Sequence, residues 1–141
     1  MDRKQIKIGY ITMLNKLSCK KVYVCSPLSA PTRNEIEINM LSVRNKCKVI
    51  NNTICDVRAW APHAYLPEII DDSIPEERAL ALDFGMRLLN MSDTMYVFGA
   101  RLSDGMKSEI SEAVRLGLVI VSEPNISSAV IRFIDTIPED N

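Results

Sequence analysis

A chain of 141 residues, 47% hydrophobic and 25% charged, has the length and composition of one soluble globular domain with a real core. Its formal net charge of −1 argues against a protein that coats a nucleic-acid polymer, which carries a basic excess. No apolar run approaches the roughly 18 residues of a membrane span, and the first residues lack the apolar stretch and cleavage site of a signal peptide.

The first segment is cationic through Arg3, Lys4, Lys7, Lys16, Lys20 and Lys21, and reads as a solvated face. Within residues 1–18, Ile6, Tyr10 and Leu14 recur at helical spacing, which predicts a short helix in an N-terminal extension covering residues 1–20. Residues 21–25 read as a strand stopped by Ser26-Pro27. Thr32 and Asn34 are N-cap candidates for a helix to about residue 53, with Ile36, Met40, Val43, Cys47, Ile50 and Ile54 as its apolar stripe. Residues 57–61 form a second strand ended by Pro62. Pro75, with Glu76 and Glu77 beside it, opens a second helix, continued by Leu80, Phe84, Leu88 and Met91. Residues 94–98 are a third strand, and a helix over 105–116 ends at Gly117, where a left-handed cap is wanted. Residues 118–121 are a fourth strand, too apolar for one wet face, and a last helix spans about 127–136.

Strand and helix alternate throughout. The pattern predicts an α/β fold, a Rossmann- or flavodoxin-like three-layer sandwich with a mainly parallel sheet of four or five strands. Residues 21–141 form its single domain. Counted from the strand at residues 21–25, the expected order is 2-1-3-4. The loops after the first and third of these strands then meet at the switch in strand order, where such sheets hold their ligands. Those loops are Ser26-Pro27-Leu28-Ser29 and Gly99 to Gly105.

Glu109 lies one turn into the helix that follows the second loop. It is too far along to close a capping box, because Met106 stands three residues after Ser103 and Lys107 three after Asp104. Its helical neighbours Gly105, Met106, Glu112 and Ala113 include no cation. Two readings stand side by side. In one, Glu109 is a border residue in water or paired with a distant arginine. In the other its side chain, leaning toward the helix N-terminus, reaches into the cleft above the strands, where Gly105 leaves room.

The four cysteines, Cys19, Cys25, Cys47 and Cys55, form no CxxC pair and the chain has one histidine, so no metal site and no cofactor are implied. Free cysteines fit a reducing cytoplasm, that of a bacterial host cell if the protein is phage-encoded.

The ordered segments VYVCSPLSA, WAPHAY, DDSIPEER and SDTMYVFGARLSDGMKSEISEAVRLGLVIV resemble the nucleoside 2-deoxyribosyltransferase-like superfamily, in particular its small phage and mobile-element members. The resemblance spans about residues 21–122. It implies that Glu109, four residues past the motif glycine Gly105, is the nucleophile that attacks the anomeric carbon of a deoxynucleoside or deoxynucleotide. Asp104, Gly105 and Met106 at the helix start, with Ser26 and Ser29, would hold a 5′-phosphate. Pro27 and Gly99 belong to the same loops. Ser103 replaces the aspartate of the transferases and matches the deoxynucleotide-hydrolysing branch, favouring a phosphorylated ligand. Gly85 stands where many members carry a further aspartate. Asp72 or Asp83 is then the candidate proton donor, and Asp93 more a structural acid than a donor.

Several further residues belong to this expectation. His63 sits at the rim as a ligand contact or a packed residue. Arg101 is placed to meet a phosphate; Arg78 meets either a phosphate or its acidic neighbours. Trp60 or Tyr65 would stack on a base or belong to the core or a subunit interface. The expected partner is a nucleoside or nucleotide. The resemblance also implies a homo-oligomer, a dimer or larger, with the site near the subunit interface. A non-catalytic reading competes, in which a phage-encoded domain sequesters a host immune signalling nucleotide, and a vestigial cleft on an interaction protein is the third.

Overall fold

The structure, a computed structural model, describes residues 6–138. Five strands, β1 (Ile6–Ile8), β2 (Lys21–Cys25), β3 (Arg58–Trp60), β4 (Thr94–Val97) and β5 (Val119–Ser122), make one sheet in the order β1-β5-β4-β2-β3. Every pairing is parallel. Four helices join or follow the strands: α1 (Arg33–Thr53), α2 (Pro75–Asn90), α3 (Asp104–Leu116) and α4 (Pro124–Thr136). This is the Rossmann- or flavodoxin-like sandwich the alternation predicts, and the last four strands keep the expected order.

Alternation along β2 sorts the two cores. Val22 and Val24 face the layer under α1, with Val43, Ile50, Tyr96 and Val121. Tyr23 and Cys25 face the opposite layer, with Met95, Val97, Met106, Ile110 and Val130. These four β2 side chains are fully buried, and only Lys21 at the start of the strand is exposed. Burying an aliphatic side chain of this size contributes roughly 1.5–3 kcal/mol, so these central strands anchor both layers.

The helix ends follow local chemistry. Thr32 caps α1, its hydroxyl accepting from the Glu35 N–H at 3.2 Å. Gly117 closes α3 with φ 77°, a left-handed conformation that glycine adopts without a Cβ penalty. Pro124 opens α4 at its first position, before the expected residue 127.

Two expectations are corrected. Ile6, Tyr10 and Leu14 do not share a helix. Ile6–Ile8 forms β1 and pairs with Ile120–Ser122, and the Gly9 N–H donates to the Ser122 carbonyl at 2.9 Å. A 3-10 helix over Ile11–Lys16 then buries Leu14. The edge of β5 needs backbone partners, and the short segment supplies them. Residues 1–5, with Arg3 and Lys4, lie outside the described residues.

The second correction concerns α2. Of the apolar residues expected to continue it, Leu80, Phe84 and Met91 are 60%, 44% and 54% exposed and Leu88 is partly buried, whereas Gly85 and Leu89 are buried. At Gly85 the helix faces the Tyr23 hydroxyl and Pro62, and a Cβ added there would meet both at 3.6 Å, an ordinary contact distance.

Candidate functional site

Strand order reverses between β2 and β4, and the loops that follow them touch. Gly99 has φ 130°, and a Cβ there would lie 2.5 Å from the Pro27 ring. Only glycine allows this approach. A cavity of about 410 Å³ opens beside the loops, floored by Tyr23 and Glu109 and walled by α2 and the segment after β3. That volume suits a small-molecule ligand.

The start of α3 builds one side. The Ser103 hydroxyl accepts from the Met106 N–H at 3.3 Å, and the Ser103 N–H donates to Met106 Sδ at 3.5 Å. The methionine sulfur takes the place of the acid or amide that a capping box ordinarily uses. This cap aims the first turn of α3 at the cavity, and Glu109 follows one turn later.

Glu109 is only partly exposed and no cation pairs with it among the described residues. Its Oε2 accepts a very short hydrogen bond from the Tyr23 hydroxyl, and its Oε1 faces Cys25 Sγ at 3.7 Å. Burial pushes the carboxyl up to about 7, while the hydrogen bonds from Tyr23 and Cys25 pull it down. The same burial, reinforced by the neighbouring carboxylate, pushes the Tyr23 hydroxyl and the Cys25 thiol up.

A second tyrosine–glutamate pair on the other face of the sheet gives the contrast. The Tyr96 hydroxyl donates to Glu123 Oε2 at 2.5 Å, but there Lys46 Nζ also binds the carboxylate, at 3.0 Å. Glu123 is neutralised by a lysine; Glu109 is held by a phenol and a thiol alone.

The other predicted residues divide clearly. Ser26, Ser29, His63, Arg78, Ser103, Asp104, Gly105, Met106 and Asp72 all line the cavity with Glu109. Ser26 Oγ and His63 Nε2 are 2.9 Å apart, and burial pushes the imidazole down to about 4. Arg78 has no acidic partner among the described residues. Gly105 opens directly onto the cavity, and an added Cβ would meet no atom within 4 Å.

Pro27, Gly99 and Arg101 line a different hollow, of about 470 Å³, on the α1 side of the loops. The Arg101 guanidinium donates to the Ser29 carbonyl at 2.6 Å and so braces the loop instead of facing the cavity. Asp83 is spent on Arg87 along the exposed side of α2, at 2.8 Å. Asp93 lies at the opposite end of the sheet, where one oxygen accepts from the Lys20 and Lys21 N–H groups at 2.9 and 3.0 Å. Neither Trp60 nor Tyr65 lines the cavity. The Trp60 indole donates to Ser92, and Tyr65 stacks under Arg44.

The sequence reading passed over Tyr23 and Cys25 as partners of Glu109. Their spacing of two within a strand carried the signal, because it sends both side chains to one face. Among the described residues no cluster of three His, Cys, Asp or Glu side chains is arranged to hold a metal ion, and no helix is long and apolar enough to cross a membrane.

Fold and cleft define a doubly wound α/β domain with an unneutralised carboxylate at its topological switch point. The chain belongs to the family described as a domain of unknown function, DUF7768, which it matches over residues 20–123. No curated protein matches it in sequence. Among solved structures it is similar to a 2-deoxyribosyltransferase from the psychrotolerant bacterium Bacillus psychrosaccharolyticus, with a TM-score of 0.56, 16% identity, and coverage of 74% of this chain and 72% of that one. At that identity the likeness is one of fold.

Proposed function

We propose that the cavity binds a nucleoside or nucleotide and that Glu109 attacks its anomeric carbon, cleaving the N-glycosidic bond by hydrolysis or transfer. The observation that carries this reading is the state of Glu109. A carboxylate desolvated without a cation is costly to keep, and its two hydrogen-bond donors leave it directed at the cavity. With its proton lost to solvent, the carboxylate, still accepting from the Tyr23 hydroxyl, becomes a nucleophile and would form a covalent glycosyl ester. The deoxyribosyltransferase-like fold supports the ligand class.

The free guanidinium of Arg78 and the first amides of α3 suit one phosphate. Ser26, held by His63, and Ser29 offer hydroxyls to sugar or phosphate. The exposed α2 stripe of Leu80, Phe84 and Met91 suits a homo-oligomer, and Leu82 on the same helix touches the cavity, so the contact would lie near the site. A cytoplasmic protein, without membrane or nucleic-acid-polymer partners, fits this reading.

A second reading, capture of a nucleotide without cleavage as a phage anti-defence device, is favoured by one observation. Position 85 is glycine, so no second acid joins Glu109 beside the Tyr23 hydroxyl. One experiment separates the two. The purified chain is incubated with deoxynucleosides, deoxynucleotides and cyclic or ADP-ribose-type nucleotides, and both supernatant and heat-released fraction are chromatographed. Free base that disappears with Glu109→Ala supports cleavage. An intact nucleotide recovered only on heating refutes it and supports capture.

A further inference from the structure

Cleaving an N-glycosidic bond ordinarily requires two groups, a nucleophile for the sugar carbon and an acid for the departing nitrogen. The cavity supplies the first and withholds the second. Tyr23 already donates its proton to Glu109, and burial makes its hydroxyl a weaker acid than a free phenol. His63 is neutral at physiological pH because burial disfavours its imidazolium. Asp72 and Asp104 are exposed residues at the rim of the cavity. The place beside Tyr23 that an acid would fill is the bare backbone of Gly85.

The electrostatics point the same way. Three carboxyl groups, Asp72, Asp104 and Glu109, line the cavity against one guanidinium, Arg78. Part of the lining is apolar, with Leu66, Ile70 and Met86, and suits an apolar ring face. A cation seated there would favour the ionised form of Glu109, so that the ligand itself would arm the nucleophile.

Resting on the glycosidic-cleavage reading, we infer that the substrates are N-glycosides whose base already bears a positive charge: pyridinium nucleosides, N-alkylated purine nucleosides, or their monophosphates. Such a base needs no proton to leave. Glu109 forms the C1′–O ester bond as the C1′–N bond breaks. The electron pair of the broken bond passes to the ring nitrogen, cancels its charge, and the base departs neutral. Water then attacks C1′, the ester bond breaks, the carboxylate is restored and one proton goes to solvent. The products are the free base, the sugar hemiacetal and that proton.

The test compares substrates whose bases differ by one charge: 7-methyl-2′-deoxyguanosine against 2′-deoxyguanosine, and nicotinamide mononucleotide against its reduced form, whose base is uncharged. The full chain and Glu109→Gln, its folding checked by thermal melt, are assayed for free base by chromatography, with spontaneous release subtracted. The expected result is kcat/KM higher by about 100-fold or more for the cationic member of each pair, the size of effect an absent general acid leaves, and no release by the folded Glu109→Gln. If the neutral members react within about 10-fold of the cationic ones, a proton donor operates in the cavity. The inference is then overturned while the cleavage reading survives. If no pair yields base, the cleavage reading itself fails and takes the inference with it. Release by a folded Glu109→Gln overturns the inference through its nucleophile.

Discussion

Replacing Glu109 with glutamine isolates what the buried carboxyl does to the fold. Burial lifts this carboxyl from about 4.5 to about 7. At ~1.4 kcal/mol per tenfold change in proton affinity, that rise is worth roughly 3 kcal/mol. The folded state holds the proton more tightly than the unfolded chain. Below pH ~4.5 both states carry it and nothing is lost; as pH climbs toward 7 the unfolded chain ionises first, and stability drains away. Glutamine keeps an acceptor for Tyr23 and never titrates. The variant should therefore match the wild type within about 1 kcal/mol at pH 4 and exceed it by roughly 3 kcal/mol at pH 8. Urea unfolding at unit steps from pH 4 to pH 8 reads this directly. With a slope of about 1.5 kcal/mol per M, the midpoints should be superimposed in acid and stand about 2 M apart in base. A difference that stays constant with pH would refute the reasoning, because it would mean that Glu109 ionises as it does in water.

His63→Gln should act in the opposite sense. Burial lowers the imidazole from 6.5 to about 4, so wild-type stability is lost as pH falls through that window, and the variant should become the more stable of the two in acid on the same urea curves. The two glycines of the site should separate by type of damage. Gly99→Ala forces a Cβ into the Pro27 ring at a positive φ and should cost about 2 kcal/mol in thermal unfolding. Gly105→Leu should leave the melting temperature nearly unchanged and abolish ligand binding by titration calorimetry, since its side chain meets only the cavity. Asp93→Ala should destabilise by about 0.5–1.5 kcal/mol through the loss of its hydrogen bonds to two exposed backbone N–H groups and leave ligand affinity untouched.

Much of this fold is legible in the chain because its central elements are long or strongly patterned. Residues 22–25 and 95–98 are apolar throughout, and Thr32 and Gly117 carry the chemistry of helix ends. The failures have physical causes. β1 is too short to show alternation, and its identity comes from pairing with β5, far away in sequence. On α2 the apolar spacing of Leu80, Phe84 and Met91 is real, but the helix buries the face of Gly85 and Leu89, and a residue without a side chain leaves no hydrophobic signal. The site divides in the same way. The loop after β4 and the start of α3 were readable from spacing. The partnership of Glu109 with Tyr23 and Cys25 was not, because it crosses from helix to strand and those residues read as core.

The three residues of β1 also act as a guard. The family match begins at residue 20, which makes Lys20 an inviting place to trim the chain. Cutting there would strip β1 from β5 and bare a row of unpaired backbone groups along Val119–Ser122, a strand whose side chains are largely buried and apolar. An exposed edge of that kind recruits other chains. A trimmed domain should therefore express as aggregates while keeping every residue of its cavity, and failure to recover it in soluble form would say nothing about the cavity's chemistry.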